Sequence, residues 1–252
     1  VFAENNGKGR LLRLLVKCLY KTALKRNQKV LFQNPDDQEF FENAGVVKKE
    51  QAVLINGSGV NLDYFKKAPI PEGIVSFLLI ARLIKEKGII DYIEAAEIIK
   101  KKYPEVQFKM ICWSFPDNPG AISNEQIESW KQKGSVQILG EQEDVRPFLI
   151  QSSVYVLPSY REGTPRTVLE ALATGRPIIT TDTPGCRETV IDGVNGYLVP
   201  LKNSEKLAEA MERFIKNPAF ISKMGTESRR LAEEKYDVHK VNDSINRTME
   251  LY

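Results

Sequence analysis

Short apolar runs alternate with segments of helical hydrophobic period along most of this chain, and no other feature narrows its fold as much. The runs are KVLFQ (29–33), AVLIN (52–56), IVSFLLIA (74–81), VQFKMIC (106–112), VQIL (136–139), VYVLP (154–158), PIITT (177–181) and GYLVP (196–200). Between them GIIDYIEAAEIIKKKY (88–103), NEQIESWKQK (124–133) and RTVLEALATG (166–175) repeat their apolar residues at helical spacing. Strands that are apolar on both faces need cover on both faces, and helices returning between parallel strands provide it. The alternation is regular from about residue 74 to 200. It predicts an α/β fold, a Rossmann-like parallel sheet with helices on both faces.

The two ends follow another pattern. Residues 8–26 predict a helix, 29–33 a strand, and PDDQEFFENAG (35–45) a helix with Pro at its start and Gly at its stop. One strand with two helices cannot make a sheet, so this piece is expected to be the remnant of a preceding α/β domain. INGSGVNLDYF (55–65) is a turn-rich junction, and from Ser204 onward the tail is helical, punctuated by Pro218 and Gly225. The expected division is residues 1–50, the end of an N-terminal domain; 51–73, a junction; 74–235, the Rossmann-like domain; and 236–252, a helix packing back toward the N-terminal domain.

The 42% hydrophobic content of 252 residues can build a sizeable core, and a net charge of +3 does not demand nucleic acid as a partner. The basic residues are unevenly placed: Lys8, Arg10, Arg13, Lys17, Lys21, Lys25, Arg26 and Lys29 occur in a stretch without Asp or Glu. That stretch is either a solvated helix face or a surface that rests near anionic lipid or a phosphorylated partner. Cys18, Cys112 and Cys186 lie far apart without metal-ligand spacing, which fits a reducing, cytoplasmic setting. No apolar run approaches the roughly 20 residues that span a bilayer, and no signal-peptide pattern is present. A soluble or peripheral protein is expected.

The chemistry concentrates in REGTPRTVLEA (161–171). The strand VYVLP ends near Pro158, so residues 159–164 form a loop at its carboxyl end, where open α/β sheets bind ligands. Thr164-Pro165 predicts a helix start with a hydroxyl N-cap and Pro at the first helical position. The amides of such a first turn suit a phosphate; Pro165 has none, so the donors are Gly163, Thr164, Arg166 and Thr167. At about 1.5 Å per residue, Glu170 falls roughly 7–8 Å from the helix N-terminus, with Glu162 on the other side of the turn. A ligand with its phosphates on that N-terminus meets a carboxylate at each end. A sugar nucleotide has this shape, and carboxylates accept hydrogen bonds from its hydroxyls. The acids therefore act as separate grips rather than as a glycosidase pair facing one bond. In RLIKEKG (82–88), Arg82 and Lys87 stand at another strand's carboxyl end, able to converge on the same diphosphate. Either feature alone is weak, since charged loops are usually solvated and any amphipathic helix can carry the E-x7-E spacing. Their joint placement at strand ends of one sheet is the signal.

The residues LFQNPDDQEFF, INGSGVNLDYF, FLLIARLIKEKG and VYVLPSYREGTPRTVLEALATGRPIITTDTPGCRETVIDGVNGYLVP, with the helical tail, resemble the retaining GT-B glycosyltransferases of family 4. The likeness is strongest to bacterial members that build capsule, O-antigen and lipid-linked glycans. It implies the C-terminal, donor-binding half of a GT-B fold, preceded by the end of the acceptor half and inactive as an isolated chain. It implies that Arg82 and Lys87 contact the diphosphate, that Glu162 contacts the transferred sugar, and that amides from Gly163 to Thr167 hold phosphate. Glu170 would hold the ribose, and backbone at Leu139-Gly140 would lie beside the base. By the same resemblance Gly185 or Glu188, next to the strand-to-helix turn TDTPG (181–185), is a candidate near the sugar. The resemblance implies no metal, which agrees with the lack of an Asp-x-Asp pattern, and no cofactor beyond the nucleotide-diphosphate sugar, expected to be a uridine one. The implied acceptor is a glycan or a lipid-linked one, reached at the inner face of the cytoplasmic membrane through the basic N-terminal helix.

The strand VQFKMIC runs into WSFPDNPG (113–120), where the family commonly has a Gly-rich turn; this departure is expected on the nucleoside side of the pocket. DGVNG (192–196) is a tight turn, His239 a surface or packing residue, and Trp113 and Trp130 receive no role. Three other functions stay in view: a non-catalytic nucleotide-sugar-binding module, a sugar-nucleotide epimerase, and a dinucleotide oxidoreductase. The last requires G-x-G-x-x-G after an early strand, where this chain has RLIKEKG.

Overall fold

A computed structural model describes residues 7–250, with side chains from Leu12 onward. The side chains of Lys8 and Arg10 in the basic run, and residues 1–6 and 251–252 of the first and last expected segments, lie outside the described part.

The larger unit is a six-stranded, all-parallel sheet in the order β5-β4-β3-β6-β7-β8. Its strands are β3 (Ser76–Arg82), β4 (Gln107–Trp113), β5 (Gln137–Gly140), β6 (Val154–Leu157), β7 (Ile178–Thr181) and β8 (Gly196–Val199). Residues Phe77, Leu78 and Leu79 are 0% exposed, as expected for a central strand covered on both faces. Burying each such side chain contributes about 1.5–3 kcal/mol. The connections are α3 (Ile89–Lys102), α4 (Asn124–Lys133), the five-residue α5 (Arg146–Ile150) and α6 (Arg166–Thr174). The strand order reverses between β3 and β6, so their carboxyl ends frame a crevice that no crossover helix covers. The α/β reading, with its parallel sheet and flanking helices, is the architecture found.

The smaller unit is a helix α1 (Gly7–Leu24), a helix α2 (Pro35–Asn43) and a two-stranded parallel sheet of β1 (Val30–Phe32) and β2 (Ala52–Leu54). It has its own minor core of Phe32, Val46 and Val47, separate from the large one. The tail comprises α7 (Ser204–Lys216), α8 (Ala219–Leu231), a π-helical turn (Ala232–Tyr236) and α9 (Val238–Thr248). It is tied to the junction by backbone and side-chain bonds: the Val60 amide donates to the Tyr236 carbonyl at 2.7 Å, the Val238 amide to the Val60 carbonyl at 3.0 Å, and the Arg229 guanidinium to the Phe65 carbonyl at 3.1 Å.

One local expectation is corrected. Thr164 does not cap α6; the N-cap is Pro165, and the helix begins at Arg166. The Thr164 hydroxyl donates instead to the backbone carbonyl of Gln33, an acceptor in the small unit.

Candidate functional site

The crevice between β3 and β6 is assembled by three tight turns. β3 ends at Arg82, and a 3-10 turn over Lys85–Lys87 leads into α3. Gly88 closes that turn at φ +68, and a Cβ there would stand 2.0 Å from the Pro158 carbonyl oxygen. Only glycine permits this approach. The turn is then bonded to the loop after β6: the Tyr160 amide donates to the Glu86 carbonyl at 2.8 Å, and the Ser159 hydroxyl to the same carbonyl at 3.0 Å. Lys87 is thereby held opposite Glu162, and the two form an ion pair whose side chains are largely buried. The loop is braced from β7 as well. The Thr183 hydroxyl donates to the Ser159 carbonyl at 3.2 Å, and the Glu162 amide to the Pro184 carbonyl at 3.0 Å.

α6 supplies the floor. Its residues Val168–Thr174 are buried throughout, so packing fixes its axis. Its N-terminus opens on the crevice, where the Arg166 side chain is 78% exposed. The amides of Val168 and Leu169 both donate to the Pro165 carbonyl, whereas those of Arg166 and Thr167 have no backbone acceptor among the described residues. Unpaired first-turn amides carry partial positive charge and attract an anion.

A cavity of about 170 Å³ is lined by Arg82, Lys87, Glu162, Arg166 and Thr167, together with Trp113 and apolar residues of β3 and β6. Arg82 makes no ion pair among the described residues and packs its guanidinium 4.9 Å from the Phe115 ring centroid. A second cavity of about 560 Å³ adjoins it, with Arg166 lining both. Glu170 faces the larger one, across from Asn61 and Tyr64 of the junction and Asp144 and Val145 after β5. Burial pushes the Glu170 carboxyl up to about 7, against the opposing pull of Arg166, whose Nε is 3.4 Å away.

The residues singled out in the sequence thus separate. Arg82, Lys87, Glu162, Arg166 and Thr167 surround one cavity, and Glu170 lines its neighbour. Leu139 and Gly140 end β5 but line neither cavity, and the Leu139 carbonyl is taken by the Gln142 side chain at 2.9 Å. Gly163 and Thr164 also line neither; the Thr164 amide donates to Gln33 Oε1 at 3.1 Å. Gly185, at φ +82, is a packing position: a Cβ there would lie 2.2 Å from the carbonyl oxygens of both Glu162 and Gly163. Glu188 lines neither cavity, and its Oε2 is buried without a hydrogen-bond partner. His239 is exposed on α9. Trp113, which the sequence gives no role, lines the smaller cavity, placed there by its register opposite Arg82. Trp113 and Phe115 place the start of the WSFPDNPG stretch beside Arg82. Among the described residues, no three His, Cys, Asp or Glu side chains converge as metal ligands, and no helix is long and apolar enough to cross a membrane.

Residues 61–235 match the family described as glycosyl transferases group 1. One relative is the N,N'-diacetylbacillosaminyl-diphospho-undecaprenol alpha-1,3-N-acetylgalactosaminyltransferase of Campylobacter jejuni, 29% identical over 86% of this chain and 58% of that protein. Among solved structures, the C-terminal domain of the glycosyl transferase group 1 family protein LpcC from Francisella tularensis is 27% identical with a TM-score of 0.63, covering 71% of this chain and 100% of that domain. Anabaena HepE in complex with UDP-glucose has a TM-score of 0.79 at 20% identity, over 94% of this chain and 68% of HepE, a likeness of fold alone. The chain spans about half the length of the curated relatives it matches.

Proposed function

We propose, from the premise that this chain belongs to the glycosyl transferases group 1 family, that it is the donor-binding part of a retaining, family 4 glycosyltransferase using a nucleotide-diphosphate sugar. The observation that carries this reading is the convergence of Arg82, Lys87, Glu162, Arg166 and Thr167 round one cavity at the point where the strand order reverses. In this reading the diphosphate lies against the Arg166 and Thr167 amides. Arg82 and Lys87 neutralise the charge that grows on it as the sugar departs, so no metal is invoked. Lys87 exchanges its bond to Glu162 for one to phosphate, which frees the Glu162 carboxylate to accept from sugar hydroxyls and to face the developing positive charge at the ring. Glu170 takes the ribose diol in the larger cavity, with the base toward Asp144 and Val145.

The donor we favour carries uridine, supported by the fold shared with HepE, whose structure holds UDP-glucose. A hexose or N-acetylhexosamine transferred to a lipid-linked or polysaccharide acceptor fits the printed activity of the Campylobacter relative. Residues 1–50 are read as the end of the acceptor-binding domain and 74–235 as the donor-binding one. A second reading, binding without transfer by this chain alone, is supported by its covering 58% of that relative. Transfer from a UDP-sugar by the isolated chain would exclude it.

Titration calorimetry with UDP, GDP and ADP tests the reading. UDP is expected to bind, and Arg82→Ala to weaken it by about tenfold or more, the loss of a charge-assisted contact to phosphate. A chain that binds none of the three, or an Arg82→Ala variant with unchanged affinity, would overturn the assignment.

A further inference from the structure

We infer that Asn34 and Gln33, at the joint between β1 and α2, are positioning residues for the loop that carries Glu162. The inference rests on the donor-site reading above and deepens it.

Asn34 is polar yet 0% exposed. Capping accounts for half of its amide: Oδ1 accepts from the Asp37 amide at 2.8 Å and so caps α2. The other half points away from the helix backbone. Nδ2 donates to the Asp37 carboxylate at 2.8 Å and reaches the carbonyls of Glu162 at 3.4 Å and Gly163 at 3.3 Å. Ser, Thr or Asp caps a helix as well as Asn does. Among these four, Asn alone offers an acceptor for the α2 amide and an NH2 donor for the carbonyls across the gap.

Gln33 continues the contact. Its backbone carbonyl accepts from the Thr164 hydroxyl at 3.1 Å, and its Oε1 from the Thr164 amide at 3.1 Å. A Cβ on Gly163 would stand 2.6 Å from Gln33 Oε1 and push that flexible side chain aside. Two ion pairs span the same gap: Arg161 with Asp37, and Arg187 with Asp36 at 3.1 Å. From the opposite side the loop rests on the backbone of Pro184 and Gly185. The carbonyls of Glu162 and Gly163 are thus held between the Asn34 amide and the Gly185 backbone, while the Glu162 side chain faces the cavity. A residue more than a hundred positions away in sequence sets the angle at which that carboxylate is presented. Gln33 also occupies the Thr164 amide, which removes it from the donors open to a phosphate.

The test uses the whole chain with Asn34→Ala, Asn34→Ser and Gln33→Ala, and reads two quantities. In the unliganded protein, hydrogen exchange at residues 161–164 is expected to quicken by about tenfold in both Asn34 variants, with β3 and β6 unchanged. Capping alone would leave Asn34→Ser, which keeps an acceptor for the Asp37 amide and adds no charge, at the wild-type rate, so that result overturns the proposal. Affinity is then measured for UDP-glucose and for UMP, which lacks the sugar and β-phosphate. Both Asn34 variants are expected to lose about five- to tenfold for UDP-glucose and less than about twofold for UMP. Equal losses for the two ligands would make Asn34 a structural residue only. If Asn34→Ala does not fold, Gln33→Ala, at an exposed position, carries the same comparison through the Thr164 amide. If wild type binds neither ligand, the uridine-donor reading fails, and the exchange rates still decide the positioning role.

Discussion

Burial lifts the Glu170 carboxyl from an ordinary value near 4.5 to about 7, and Arg166 only partly offsets it. The sign of the consequence follows. The folded-state pKa lies above the unfolded one, so between pH 4.5 and 7 the folded chain keeps a proton that the unfolded chain has lost. The group favours folding least once pH exceeds about 7, where an ionised carboxylate is buried with one exposed arginine for company. Glu170→Gln removes that charge without changing shape. Urea unfolding should show the variant more stable than wild type by about 1–3 kcal/mol at pH 8, with the difference closing toward pH 4.5. A constant difference across pH would assign it to packing instead. That Glu162, Glu170, Arg82 and Lys87 could be picked out of the sequence has a simple cause: strand ends and helix rise set their positions locally. Asn34, Gln33 and Trp113 could not, because what gives each its place is a neighbour on another strand or in another unit.

The same limit operates at the scale of elements. Gly185→Ala is expected to cost about 2–4 kcal/mol, because its Cβ would strike the Glu162 and Gly163 carbonyls and its φ of +82 disfavours any side chain. Gly193, at φ +74 with nothing within 4 Å of a Cβ, supplies the control; alanine there should cost only about 1 kcal/mol. Urea midpoints of the two variants check this, and equal losses would show that backbone strain, not the close approach, governs Gly185. Every apolar run singled out as a strand became one, within a residue or two at its ends; in the central strands β3, β6 and β7, burial on both faces leaves a continuous signature. The short α5 and the 3-10 turns left none, because five and three residues are too few for apolar spacing at i, i+3, i+4 and i+7 to register. Thr164 shows local propensity overridden by tertiary contact: its hydroxyl suits a cap, but the Gln33 carbonyl in the other unit claims it.

For the molecule as a whole, the alternation of strands and helices indicated a parallel sheet but not which strand borders which; the order 5-4-3-6-7-8 depends on the side of β3 to which each connection returns. Charge is distributed at this scale too. A net charge of +3 hides a strongly basic end, where Lys17, Lys21, Lys25, Arg26 and Lys29 follow Arg13 without an intervening acid. On the same helix Leu12, Leu15 and Leu19 are 47%, 58% and 61% exposed. Exposed leucines flanked by lysines are what an interfacial helix presents to a membrane, with apolar side chains in the acyl boundary and ammonium groups at the headgroups. Each basic side chain near an anionic surface contributes about 1 kcal/mol, and salt screens it over about 10 Å at 0.1 M. We therefore expect the chain to sediment with vesicles containing about one-third anionic lipid at low salt, but not with purely zwitterionic ones. Lys21→Glu with Lys25→Glu should abolish binding through charge, and Leu15→Glu with Leu19→Glu through insertion. If the leucine pair has no effect while salt releases the protein, the contact is electrostatic only and α1 does not enter the bilayer. If neither pair matters, the exposed leucines belong to a protein interface.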